Sequence, residues 1–301
     1  MPGTRKSSRI VPLARREFLR AQGFLAYAAR GVGLLTIGPL FASGPARRLR
    51  DAIDLRPGEQ KLQLRLAVVA HVYYLDLVDE ILECFAKLGP AALFVTTEPS
   101  KFDALAARLK DVPGARVIAH VNRGRDIAPF LSLLNAGELD AFDAVLKLHT
   151  KKSPHLMTGD VRRRLLYIAL AGSRRRVRDV ARAFADPSTG LVGWRPSWRT
   201  EQALWLMNRA RVNALLARMG VTPSSRPAFF EGSMFWVRPS ALARLAALDL
   251  KPEDFEPEGP ETDGLLHHAI ERLFAPVVAA EGYIVRDLGG RVLPPGRHRG
   301  E

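Results

Sequence analysis

A single cysteine, Cys84, leaves the chain without the means for an internal disulfide, and no Cys cluster is available to hold zinc. The seven histidines form no HExxH pair and no other spaced ligand set, so a dedicated metal centre is not indicated and any metal would have to be held by carboxylates. Uninterrupted apolar runs are also scarce. The longest, GFLAYAARGVGLLTIGPLFA, is broken by Arg30 into pieces shorter than the roughly 20 residues a bilayer-crossing helix needs. No helix-turn-helix, RRM or zinc-finger pattern is visible, which leaves nucleic-acid binding resting on net charge alone.

That charge is the largest compositional feature. Lys and Arg outnumber Asp and Glu by 45 to 31 for a net +14, which favours nucleic acid, anionic lipid headgroups or a phosphorylated substrate without choosing among them. With 301 residues and 47% hydrophobic content, the chain is long enough for one large core or two modest ones.

Residues 1–60 stand apart as a basic arm. Its flanks, including RRLR at 47–50, suit an interfacial segment on an anionic membrane. A competing reading is export, because ARREFLR at 14–20 resembles a twin-arginine signal followed by an apolar region and ASGPA. From residue 62 a rhythm begins: strand LQLRLAVVAHVYY, helix LDLVDEILECFAKLG, strand AALFVTTE, helix SKFDALAARLKDV, strand ARVIAHV, helix IAPFLSLLNAG and strand AVLKLHT. Short apolar strands alternating with helices predict an α/β fold with a mostly parallel, Rossmann-like sheet covered on both faces. Beyond Thr150 the expected elements are a basic helical region VRRRLLYIALAGSRRRVRDVARAFAD, strand GLVGW, helix TEQALWLMNRARVNALLARMG, strand FFEGSMFWVRP and helix LLHHAIERLF. The expected domain spans 62–288, with 289–301 a flexible tail.

Ligands of open α/β sheets sit beyond the carboxyl ends of the strands. His71, then Asn122 to Asp126, then His149, Lys151 and Lys152 all arrive at that rim, and Lys147 shares the parity of His149 and Lys151 on the fourth strand. These cations point to phosphate. Arg123 and Arg125 flank one turn with guanidinium forks suited to phosphate oxygens, while Asp126 is placed to cap the following helix. The acidic stretch 254–263 brings Glu261 and Asp263 to a helix start, where Asp263 is the first choice for a general base and Asp126 the second. Gly232 and Ser233 precede an aromatic strand with Trp236, a candidate sugar or acceptor surface with His267 nearby; at strand spacing such aromatics are more often core. The arginine runs at 162–164 and 174–176 read as a solvated or membrane-facing surface.

In order along the chain, AVVAHVYYLDLVDEIL, LFVTT, NRGRDIAPFL, VLKLHTKKSPH, GLVG, GSMFWVRPSAL, KPEDFEPE and TDGLLHHAIERLF resemble the rhamnan synthesis protein F family over residues 66–285. The resemblance implies a nucleotide-sugar glycosyltransferase with a GT-A-type fold that builds bacterial surface polysaccharide, and the leading reading places it at the cytoplasmic face of the inner membrane. It further implies a rhamnose donor linked to deoxythymidine diphosphate and a glycan or lipid-linked acceptor. The metal-binding DxD expected after the fourth strand is replaced by LHTKKS, so the expected diphosphate partners are Lys151, Lys152 and the arginines, with no metal cofactor. The alternative is a non-catalytic module that binds an anionic glycan or a nucleotide sugar in an assembly complex.

Overall fold

The computed structural model describes residues 64–152, 159–257, 259 and 263–294. The N-terminal arm and Glu261 lie outside the described residues.

Strand β1 (Leu66–His71) is buried along its whole length, as the unbroken run LAVVAH requires of a strand covered on both faces. Helix α1 (Val78–Phe85) turns Val78, Ile81 and Cys84 inward and places Asp79 and Glu80 in its first turn, where carboxylates suit the positive end of the helix dipole. There follow β2 (Ala91–Thr97), α2 (Phe102–Leu109), β3 (Ala115–Ala119), α3 (Ile127–Asn135) and β4 (Ala144–His149). Pro129 is tolerated in α3 because it stands in the first turn, where its missing N–H breaks no helical bond.

The predicted basic helical region forms as two helices, α4 (Gly159–Ala171) and α5 (Arg174–Ala185). Ser173 begins the second by accepting a 3.1 Å hydrogen bond from Arg176 N. Next come β5 (Thr189–Gly193), the short β6 (Trp198–Arg199), α6 (Arg209–Arg218), β7 (Phe229–Phe230), β8 (Phe235–Val237), α7 (Ala243–Ala246), α8 (Leu266–Glu271), α9 (Phe274–Ala280) and β9 (Ile284–Asp287). The helix expected over 200–220 is shorter than predicted, since Leu206 takes a left-handed φ of 47° and ends the turn before α6. The single strand expected over 229–239 is split into β7 and β8 by Gly232 and Ser233, both with positive φ.

The seven-stranded sheet has the order β3-β2-β1-β4-β8-β5-β9. All neighbours are parallel except those of β8, which runs antiparallel to β4 and β5. The mostly parallel α/β sheet expected from the sequence is therefore present, with apolar cores on both of its faces. The tail is a correction. Leu293 is buried and its N–H donates to Val285 O at 2.8 Å, so residues 289–293 fold back onto β9.

The strand order reverses between β1 and β4, which makes that gap the switch point at which such sheets open a crevice. Because β8 runs the other way, its amino-terminal end, with Gly232 and Ser233 just before it, reaches the same rim as the carboxyl end of β4.

Candidate active site

His71 and His149 are register partners at the ends of β1 and β4. Both are buried. Burial pushes His71 down to about 3, against the pull of Asp126, and its Nδ1 lies 3.0 Å from Thr96 Oγ1. Burial likewise lowers His149, whose Nδ1 is 3.3 Å from Asp126 Oδ2 without hydrogen-bond alignment.

Asp126 is delivered by a tight turn. Gly124 and Arg125 both have positive φ, and a Cβ on Gly124 would come within 2.5 Å of the Phe255 ring, so this position needs glycine for space as well as conformation. Asp126 makes no capping bond to α3. Its carboxylate instead accepts from the Lys147 ammonium, which also donates to Ser233 O at 3.0 Å. Burial would raise the Asp126 carboxyl, but His149 and Lys147 outweigh it and hold the group well below the usual carboxylate range. Lys147 thus ties the turn before α3, strand β4 and the turn before β8 into one unit. At 1% side-chain exposure it is a structural cation, which corrects the expectation that it faces phosphate.

The remaining cations divide. Lys152 leaves the rim to pair with Asp76 at 2.6 Å, and Arg123 donates to the carbonyls of Glu253 and Phe255 at 3.4 Å, clamping the acidic loop. Lys151 is different: its side chain is exposed and has no hydrogen-bond or ion-pair partner among the described residues. Desolvation by the surrounding protein lowers its ammonium from the ordinary lysine value, and the Glu271 carboxylate is the charge that most opposes this. Arg125 acts on the same group, and Asn122 stands half-buried in the preceding loop.

The arginine runs are not a solvated surface throughout. Arg162 pairs with Glu231 at 2.5 Å, and buried Arg163 holds Glu80 at 2.9 Å. Arg199 reaches Glu231 at 2.6 Å. Burial and then Glu271 push the Glu231 carboxyl well above its usual range, against the pull of Arg272.

Asp263, expected as the base, has both oxygens committed: Oδ2 accepts from Met207 N at 3.0 Å and Oδ1 from Asn208 Nδ2 at 2.8 Å, with Arg272 at 3.7 Å. It anchors a loop. The start of α8 is capped from elsewhere, by Glu256, which accepts from Leu266 N at 2.9 Å. Trp236 is fully buried and donates to Leu170 O at 3.0 Å, so it packs the core and offers no face to an acceptor. Gly232 and Ser233 do reach the site: Gly232 N and Ser233 Oγ donate to Glu271 Oε1 at 2.8 and 3.2 Å. His267 is buried, its Nε2 has no hydrogen-bond partner among the described residues, its ring centroid lies 4.0 Å from that of the tilted His268 ring, and burial lowers the two rings to about 3 and 4. Glu271 and Arg162 were missed in the sequence; the signal for Glu271 was its spacing of four residues from His267, which puts both on one helix face. Among the described residues no group of three or more His, Cys, Asp and Glu side chains is arranged to hold a metal ion.

Residues 50–283 match the family described as rhamnan synthesis protein F, and the chain belongs to that family. Two relatives, both called uncharacterized protein WxcX, come from two strains of Xanthomonas campestris pv. campestris. Each is 36% identical over 222 residues, covering 72% of this chain and 32% of the relative, so the chain spans about a third of their length. Among solved structures, S. aureus TarS 1-349 in complex with UDP-GlcNAc superposes with a TM-score of 0.39 and 12% identity, over 79% of this chain and 60% of that one.

Proposed function

We propose that this chain is a glycosyltransferase unit that takes a sugar, rhamnose or a relative of it, from a nucleotide-sugar donor and adds it to a glycan or lipid-linked glycan during polysaccharide synthesis. The observation that carries the reading is Lys151: an ammonium without a hydrogen-bond or ion-pair partner among the described residues, at the end of β4 beside the switch point, with Arg125 and Arg162 acting on it and Glu271 opposing them. Such a group is a ready partner for a diphosphate. Family membership supplies the polysaccharide context.

In this reading Lys151 and Arg125 neutralise charge as it develops on the leaving diphosphate, the role a divalent ion plays at many such sites. The buried Asp126–Lys147 pair holds the turn carrying Arg125 and the turn carrying Ser233 at a fixed separation, so the cations and the acceptor side are preorganised. The basic N-terminal arm would tether the chain to the cytoplasmic face of the inner membrane.

The test mixes purified protein with a panel of nucleotide sugars, a deoxythymidine diphosphate sugar among them, and lipid-linked acceptors, and measures released nucleoside diphosphate with and without EDTA. Acceptor-stimulated release that survives EDTA is expected. Saturable donor binding with no release under any acceptor would favour the non-catalytic binding module. Release abolished by EDTA and restored by manganese would show that carboxylates hold a metal.

A further inference from the structure

Sugar transfer needs a proton acceptor for the attacking hydroxyl, and the carboxylates near the rim are unequal candidates. Asp126 is neutralised by Lys147, Glu231 is held between Arg162 and Arg199, and Asp263 spends both oxygens on the 207–208 turn. Glu271 is built differently. Its Oε1 is fixed by two donors, Gly232 N and Ser233 Oγ, at the strained turn where both residues have positive φ. Its Oε2 has no hydrogen-bond partner among the described residues; the closest cation, Arg272 Nη1, is 3.8 Å away, beyond hydrogen-bond reach. Arg272 is itself occupied, donating from Nη1 to His268 O at 2.6 Å and from Nε to Leu204 O at 2.9 Å.

One oxygen locked and the other accepting no hydrogen bond among the described residues is the arrangement a positioned base requires. A second observation points at a ligand in the same place. His267, one turn earlier on the same face of α8, is 94% buried by its 6% exposure and still leaves Nε2 without a partner among the described residues, which a buried polar atom does only at a cost unless something arrives to meet it.

We infer that Glu271 is the catalytic base of the transfer, with Oε2 receiving the proton of an acceptor hydroxyl that His267 Nε2 helps to place. This rests on the glycosyltransferase reading above and names its acceptor side. The balance is simple. The acceptor O–H proton passes to Glu271 Oε2 as the hydroxyl oxygen bonds to the anomeric carbon; the bond from that carbon to the diphosphate oxygen breaks, and its electron pair leaves on the nucleoside diphosphate. Neutral Glu271 then returns its proton to water. His267 is unsuited to be the base itself, since burial keeps its ring neutral down to about pH 3.

The test compares native protein with Glu271→Gln, which keeps an oxygen for Gly232 N and Ser233 Oγ but cannot take a proton, and with Glu271→Asp, which withdraws the carboxylate by one methylene. Glu271→Gln is expected to keep donor binding, unchanged or tighter because a negative charge near Lys151 is gone, while kcat falls by about 10²- to 10⁴-fold and the acid limb of the pH–rate profile disappears. Glu271→Asp is expected to be slow but to keep that limb. Native release of nucleoside diphosphate with Glu271→Gln turning over within about tenfold of it would overturn this assignment alone. No release by native protein from any donor would overturn the transferase reading and this assignment together.

Discussion

Replacing Lys147 with Met removes one half of the buried pair at the centre of the rim. Its ammonium is 1% exposed and its Asp126 partner 14%, so little water is available to solvate the carboxylate left behind. Breaking such a pair from one side costs about 3–5 kcal/mol. The loss of the donor to Ser233 O adds to this. Against a total stability of about 5–15 kcal/mol, the variant should be folded at low temperature and close to failure on warming. Removing both charges in Lys147→Met/Asp126→Asn should recover much of the loss, because no uncompensated charge then remains.

The pH dependence gives the sign. In the native protein the Asp126 carboxyl lies below 3.8, its ordinary value, so its contribution is present above that pH and is lost as pH falls through the folded value. In Lys147→Met the uncompensated carboxyl is raised instead, so the variant is penalised as pH rises and the gap between variant and native narrows on acidification. Urea unfolding at about pH 7 and about pH 4 reads both effects. A penalty below roughly 1 kcal/mol at neutral pH, or one equal at the two pH values, would refute this account of Lys147.

Acid should destabilise the native protein before its carboxylates titrate. His71 and His267 lie near 3 and His268 near 4, all below their ordinary 6.5, so the stability they contribute is present above 6.5 and declines as pH falls towards those values. A Tm that stays flat from about pH 7 to about pH 5 would contradict their burial as neutral rings. The N-terminal segment should carry membrane affinity: removing residues 1–60 should abolish sedimentation with anionic vesicles, and equal sedimentation of both forms would contradict the tether.

Much of the sheet was legible because β1, β2 and β4 are short, mostly apolar runs separated by amphipathic helices, a pattern that points to both element type and burial. The break between β7 and β8 was not, since Ser233 adopts a left-handed conformation that its residue type does not announce. At the site, sequence parity grouped Lys147, His149 and Lys151 on one face of the strand but could not say which lysine meets a carboxylate. That depends on Asp126, 21 residues away along the chain, and on the direction of β8. Arg162 and Arg163 looked like solvated charge for the same reason: their partners Glu231 and Glu80 are 69 and 83 residues distant. Trp236 illustrates the reverse error, an aromatic that suggested a sugar platform and proved to be core.

The central claim is that the ammonium of Lys151, without a partner among the described residues, receives the donor diphosphate, and calorimetric titration of nucleotide sugars into native, Lys151→Ala and Lys152→Ala proteins tests it most directly. Loss of a charge-assisted contact of about 1.5–3 kcal/mol predicts donor binding weakened roughly ten- to a hundredfold in Lys151→Ala. Lys152→Ala, whose ammonium is already spent on Asp76, should bind close to normally. Unchanged donor affinity in a folded Lys151→Ala, or a larger loss in Lys152→Ala, would contradict the account.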